Sequence, residues 1–172
     1  RENGVELTMA SGARHLAKAV VLATGHSAND TYEMLLSKGV SIEVKPFAMG
    51  VRVEHPQALI DQIQYGRFAG HEALGSASYQ LRRTVDGVGT FSFCMCPGGF
   101  MVASSTANGQ VVVNGMSPSR RDSVFANSGM VVSIEAGRFQ GQPRAALAFQ
   151  EQLEKRAFDA GGGLFRAPAQ RL

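Results

Sequence analysis

The chain has 172 residues, 44% of them hydrophobic, and a formal net charge of +3, enough length and apolar content for a packed core and too little charge for a disordered chain. The basic excess is small and scattered apart from the pairs Arg82-Arg83 and Arg120-Arg121, so nucleic acid is not the first partner expected. No apolar run approaches the ~20 residues that span a bilayer, no secretory leader is recognisable, and two cysteines, Cys94 and Cys96, are too few and too close to staple a secreted scaffold; a cytoplasmic location without a membrane partner is expected.

In chain order, Val5, Leu7 and Met9 alternate as in a strand, and Asn3-Gly4 and Ser11-Gly12 read as turns. The first two dozen residues are therefore expected to form hairpin strands that feed the apolar run Val20 to Thr24. That run ends in Ala23-Thr24-Gly25-His26. A buried strand that closes on a glycine can deliver bare backbone to a phosphate or ribose, because ligands of open α/β sheets sit beyond the carboxyl ends of such strands. An ordinary core strand closed by a turn glycine has the same appearance. Ala23, Thr24, Gly25 and His26 are the candidate cofactor-binding residues.

Asn29 or Asp30 can cap a helix carrying Tyr32, Leu35 and Leu36, with Gly39 placed to end it. From Val40 the pattern turns to strand, Ile42 and Val44 alternating up to Lys45-Pro46 and Ala48 to Val53 continuing. Pro46 must lie at an edge, bend or bulge. His55-Pro56 opens a second helix, with Leu59, Ile60 and Ile63 as its buried side before Gly66. Residues 67–78 lack periodicity and read as loop.

Five short β-like runs follow: Tyr79 to Val85, Thr90 to Cys96, Phe100 to Ser104, Gln110 to Asn114 and Met130 to Glu135. Their close spacing implies antiparallel neighbours, with a hairpin turn at Asn108-Gly109 and a polar connection over Ser117 to Gly129. A last amphipathic helix is expected from Arg144 to Asp159, burying Ala146, Phe149, Leu153 and Ala157, and stopped by Gly161-Gly162-Gly163.

Strand alternation would set Cys94 and Cys96 on one face with Ser92. They can be read as a redox pair, as two ligands of a metal, or as small packed thiols. Direct closure on one strand face is strained, and the four histidines complete no zinc pattern, so no metal is assigned. Pro97-Gly98-Gly99 can offer backbone amides to a ligand or simply reverse the chain. Arg120 and Arg121 are candidate holders of an anionic substrate or phosphate, or a solvated loop. Arg52 and Glu54 share a strand face and are placed to pair. No catalytic triad or phosphate loop stands out.

The segments Val20 to Thr31, Lys45 to Pro56, Phe93-Cys94-Met95-Cys96-Pro97-Gly98-Gly99-Phe100, Val113 to Ser117, Phe125 to Ser128 and Ala167 to Gln170 together resemble the bacterial FAD-dependent dehydrogenase-like proteins, the NAD(FAD)-utilising dehydrogenase family. The resemblance implies a flavoprotein whose FAD-binding Rossmann-like domain is split in sequence by an inserted domain that covers the flavin ring. On that reading the fold class is α+β. Residues 1–39 are a strand-turn-helix fragment of the FAD-binding domain, and residues 40–172 a mainly antiparallel, substrate-side insert with flanking helices. The family's Gly-x-Gly-x-x-Gly phosphate turn does not occur in this sequence. The resemblance implies FAD as cofactor of the complete protein, with NAD(P)H a candidate electron donor, a small-molecule substrate, and the remainder of the FAD-binding domain as partner. Cys94 and Cys96 become candidate catalytic residues near the flavin. The fragment by itself is expected to be inactive and to hold little or no FAD. The alternative is an RNA- or protein-binding module that docks through its β face and arginine pairs.

Overall fold

The computed structural model describes residues 4–25, 27–105 and 107–171. Two compact units divide the chain, Arg1–Val40 and Ser41–Leu172. Among the described residues every strand pairing is antiparallel and three α-helices accompany the sheets, which is the α+β class.

In the first unit β1 (Val5–Thr8) pairs with β2 (Arg14–Ala17), Val5 opposite Ala17 and Thr8 opposite Arg14. The Ser11-Gly12 turn joins them as expected: Gly12, at φ +85°, donates to Met9 O, and Met9 N donates to Ala13 O, both at 2.8 Å. Of the Asn3-Gly4 turn, Asn3 lies outside the described residues. The expected buried strand over Val20 to Thr24 is not formed. These residues join no ladder, and Val20, Val21 and Leu22 are 45%, 88% and 53% exposed. The run pairs with neither open edge of the two-stranded β1–β2 sheet.

Helix α1 spans Asn29–Ser37. Its N-cap is Ala28, without a side-chain cap, rather than Asn29 or Asp30; the Asp30 carboxylate instead accepts from Thr31 N–H at 2.8 Å. Gly39, at φ +75°, ends it as expected. Gly39 N donates to Leu36 O and Val40 N to Leu35 O, the paired closure that a left-handed residue permits.

The second unit is built on a four-stranded sheet in the order β3-β8-β5-β4, where β3 is Phe47–Pro56, β4 Arg82–Val85, β5 Val88–Cys96 and β8 Phe125–Ile134. A separate hairpin joins β6 (Phe100–Ser104) to β7 (Val112–Met116), with Asn108-Gly109 inside its connecting loop. Residues 41–46 form no ladder, although Ile42 and Val44 keep their alternating half-burial. Pro46, which cannot donate, marks where pairing begins.

The largest departure from expectation is β8. Its ladder starts at Phe125, inside the segment read as a polar connection, and Ala126, Asn127 and Ser128 are completely buried. Flanked by β3 and β5, this is a central strand. Its polar side chains are held by bonds such as Ser128 Oγ to Gly129 O at 3.1 Å.

Helix α2 (Gln57–Tyr65) follows Pro56 directly but buries Gln57 and Ile60, not the expected stripe: Leu59 and Ile63 are exposed. The Gln57 amide spends itself inside the fold, donating to Asp61 Oδ1 at 2.7 Å and Ala77 O at 3.0 Å. Helix α3 (Pro143–Ala160) contains the expected span and buries Ala146. Its Phe149 ring meets Phe139 at 5.6 Å and Phe47 at 6.5 Å, and Phe47 stacks on Phe139 at 5.7 Å.

Gly50 on β3 lies opposite Val131 on β8; a Cβ there would meet the Met130 carbonyl oxygen and lie 2.7 Å from Val131 Cα. Gly50→Ala is expected to cost about 1–3 kcal/mol in urea unfolding, since backbone rather than side chain must move. Gly137→Ala, with no neighbour within 4 Å of its Cβ, is expected to stay within about 0.5 kcal/mol.

Candidate functional site

The register of β5 on β8 carries the local chemistry. Phe93 pairs with Gly129 but Cys96 with Asn127, so three steps on β5 match two on β8. The extra residue is a β-bulge, and Cys94 within it takes φ +48°, a left-handed value costly for a side-chain-bearing residue. The expected alternation of Cys94 and Cys96 on one face is thereby broken. Cys94 is exposed, Cys96 is 8% exposed, and both are free thiols.

Arg52 holds the bulge. Its Nη1 donates to Asn127 Oδ1 at 2.7 Å and to the Cys94 carbonyl at 3.0 Å, linking β3 to β8 and to β5. Arg52 pairs with Gly129, so Asn127 lies diagonally across the same sheet face, within reach of a long side chain. The expected Arg52–Glu54 pair is not formed: Glu54 Oε2 instead accepts from Met101 N at 3.2 Å, joining β3 to β6. Gly115 of β7 closes over the cluster. A Cβ at Gly115 would meet Arg52 Nη1, Asn127 Oδ1 and, at 2.7 Å, Cys96 Sγ.

Asn127 is wholly buried, yet its Nδ2 has no hydrogen-bond partner among the described residues. Cys96 Sγ donates to Cys94 O at 3.4 Å. Burial pushes the Cys96 thiol above its ordinary value of 9.0, the neighbouring Cys94 raises it further, and Arg52 draws it back. Nearby, His55 Nε2 and Tyr79 Oη share a hydrogen bond of 2.8 Å. Burial raises the Tyr79 phenol above 10.0, against the opposing pull of Ser128 and Arg52.

The Pro97-Gly98-Gly99 turn offers no amides to a ligand. Gly98 N donates to the buried Gln57 Oε1 at 2.6 Å and Gly99 N to Phe125 O at 2.8 Å, so the turn ties β5 to α2 and β8. Gly98, at φ +51°, approaches the Arg121 backbone too closely to admit a Cβ.

Arg120 and Arg121 are exposed on the loop before β8. Its hydrogen bonds join Arg121 N to Pro118 O, Ser76 Oγ to Arg121 O, and Ser123 N to Gly98 O. None of these bonds brings the arginines to Cys96. Ala23, Thr24 and Gly25 are exposed in the first unit, Gly25 at φ +86° with open space around its Cβ position; His26 lies outside the described residues. Among the described residues no three His, Cys, Asp or Glu side chains group as metal ligands would. No helix among them is long and apolar enough to cross a membrane.

Two features escaped pattern reading. Asn127 sits within the stretch Ser117 to Gly129 that reads as a polar connection, and Arg52 bonds across the sheet rather than to its strand neighbour Glu54. The sole advance signal was the parity of Arg52 within β3. An open groove of about 730 Å³, lined by residues including Arg138, Phe149, Lys155 and Arg156, also borders α3.

The second unit is thus an antiparallel α+β domain whose glycine hairpin closes over a cluster of half-buried Arg52 with buried Asn127 and Cys96. Residues 46–172 match the family model described as FAD-dependent protein, C-terminal domain-like, and the chain belongs to this family. An uncharacterized protein of Clostridium beijerinckii (strain ATCC 51743 / NCIMB 8052) is 43% identical over 173 residues, covering 99% of this chain and 32% of its own length. The chain thus spans about a third of that relative.

The folded chain retains the Cys96 proton to higher pH than the unfolded chain. Its contribution to stability is therefore full below 9.0 and is lost as pH rises through the folded thiol's titration. Unfolding free energy is expected to decline as pH rises above the ordinary thiol value of 9.0, and Cys96→Ala is expected to flatten the early part of that decline. Arg52→Met, which leaves the Cys94 carbonyl and Asn127 Oδ1 without their donor, is expected to cost about 2–3 kcal/mol in urea unfolding. Lys155→Met, at an exposed pair whose N–O distance to Glu151 is 4.0 Å, is expected to cost less than about 0.5 kcal/mol.

Proposed function

We propose that this chain is part of an FAD-dependent oxidoreductase of the dehydrogenase-like type, with residues 40–172 forming the substrate-side domain and residues 1–39 contributing to the dinucleotide site. The observation that carries the reading is the segment 19–25. It is an apolar run that joins no ladder, is largely exposed, and ends in a glycine at φ +86° shortly before α1. In a chain belonging to an FAD-dependent family, such a run is an unpaired strand of the cofactor domain, and the other strands of its sheet come from the rest of the longer protein.

The residues fit FAD along one edge. Ala23 to Gly25 present accessible backbone, and the open space at Gly25 lets a ribose or phosphate approach main-chain atoms. The start of α1 adds a weakly positive field, which Asp30 in its first turn reduces. A pyrophosphate cradle of the Gly-x-Gly-x-x-Gly kind is not among these residues, so most of the cofactor's binding energy must come from elsewhere in the protein. When bound, the flavin supplies the electron-accepting chemistry, and the protein's part is to position a small-molecule substrate and exclude water. The antiparallel sheet and its hairpin provide the rigid wall for that task.

The intact protein is expected to purify yellow, with a flavin spectrum bleached by a reductant such as NAD(P)H or dithionite, while residues 1–172 alone retain little FAD. Gly25→Val in the intact protein is expected to reduce flavin retention about tenfold or more, because a β-branched residue is strained at that φ. A colourless intact protein that takes up no added FAD would contradict the reading.

A further inference from the structure

We propose that Cys94 and Cys96 form a two-electron dithiol–disulfide couple, in which exposed Cys94 is the attacking thiol and buried Cys96 the resolving one, exchanging with a low-molecular-weight disulfide. The couple does not depend on bound flavin and goes beyond the cofactor reading.

Three observations carry it. First, two cysteines separated by one residue on a regular strand are badly placed to close on each other, but this pair does not lie on one. The bulge turns Cys94 to φ +48° and breaks the strand geometry between the two residues, and Cys96 Sγ already hydrogen-bonds back to the Cys94 carbonyl at 3.4 Å. Second, the strained backbone is held rather than tolerated: Arg52 Nη1 binds the Cys94 carbonyl and Asn127 Oδ1 together. A non-glycine left-handed residue persists only where its surroundings enforce it, and such residues gather at functional positions. Third, Asn127 is completely buried with Nδ2 unpartnered among the described residues, and its side chain borders the same Gly115 position as Cys96 Sγ. The Arg52 guanidinium bonded to that amide borders the same Gly115 position, and a cation beside a buried thiol lowers the cost of the thiolate that must form there during exchange.

The reaction balances as follows. Cys94 gives up its proton and attacks one sulfur of a disulfide RSSR, forming a Cys94 S–SR bond and releasing RS−, which takes up the proton. Cys96 then loses its proton and attacks Cys94 Sγ, forming the Cys94–Cys96 disulfide and expelling the second RS−, which is protonated in turn. Two thiols are oxidised to one disulfide and RSSR is reduced to two RSH. The division of labour follows exposure. Cys94 is reachable by a solution disulfide, whereas Cys96, sheltered and kept protonated by burial, is reachable only from its neighbour.

The test equilibrates the intact protein anaerobically with mixtures of oxidised and reduced dithiothreitol, then quenches with acid, alkylates and identifies the peptides by mass. The expected result is that Cys94 and Cys96 lose alkylation together at the same poise, their shared peptide becoming lighter by two hydrogen atoms with no dimer on a non-reducing gel. With glutathione disulfide, Cys96→Ser is expected to trap one glutathione on Cys94, while Cys94→Ser, altered at an exposed position, is expected to leave Cys96 largely unmodified. Two thiols alkylatable at the most oxidising poise, a disulfide between copies, or preferential capture at Cys96 would each overturn the proposal. Flavin content, read separately from the visible spectrum, distinguishes this failure from failure of the cofactor reading.

Discussion

One guanidinium organises the second unit. Arg52 on β3 reaches diagonally over the central strand to Asn127 and onward to the Cys94 carbonyl on β5, so a single charged group fixes three strands and the bulge between them. Its bonds do what apolar packing alone does poorly, selecting one register and one backbone conformation from several of similar burial. The hairpin β6–β7 depends on the same arrangement, because Gly115 fits over Arg52, Asn127 and Cys96 only without a side chain. The Gly98-Gly99 turn connects that hairpin to α2 through Gln57 and to β8 through Phe125. Sheet, bulge and hairpin are therefore parts of one polar construction.

The two units differ in self-sufficiency. The second has buried residues on α2, β8 and α3 and an aromatic cluster of Phe47, Phe139 and Phe149. None of the described residues of the first unit is buried, and its most apolar run, Val20 to Leu22, is left largely in solvent. An isolated two-stranded hairpin with one short helix cannot bury enough surface to be stable alone. That asymmetry is the physical ground on which the proposal places the first unit in a cofactor domain.

Local rules made much of this fold legible. Alternation located β1, β5 and β6, Ser11-Gly12 and Gly39 located a turn and a helix end, and helical spacing located α3 almost to its ends. The failures share one cause, the dependence of a segment on what lies beside it. Val20 to Thr24 has the composition of a buried strand but pairs with no strand among the described residues and stays exposed. Ala126 to Gly129 has the composition of a polar connection but lies between two strands, where Asn127 Oδ1 accepts from Arg52 and Ser128 Oγ donates to backbone carbonyls. Leu59 and Ile63 face outward because Gln57, by its bonds to Gly98, Asp61 and Ala77, sets which side of α2 turns inward. Of the candidate site, the thiols and the glycine turn were visible as a motif. The bulge, the Arg52 clamp and the burial of Asn127 were not, since each is a relation across strands distant in sequence.

The claim that segment 19–25 completes a cofactor-binding sheet is tested most directly by backbone hydrogen exchange in the intact protein, with and without FAD. Slow exchange across Val20 to Leu22 in the intact protein, slowed further by FAD at Ala23 to Gly25, is the predicted result. Exchange there as fast as in residues 1–172 alone, whether or not FAD is present, would contradict it.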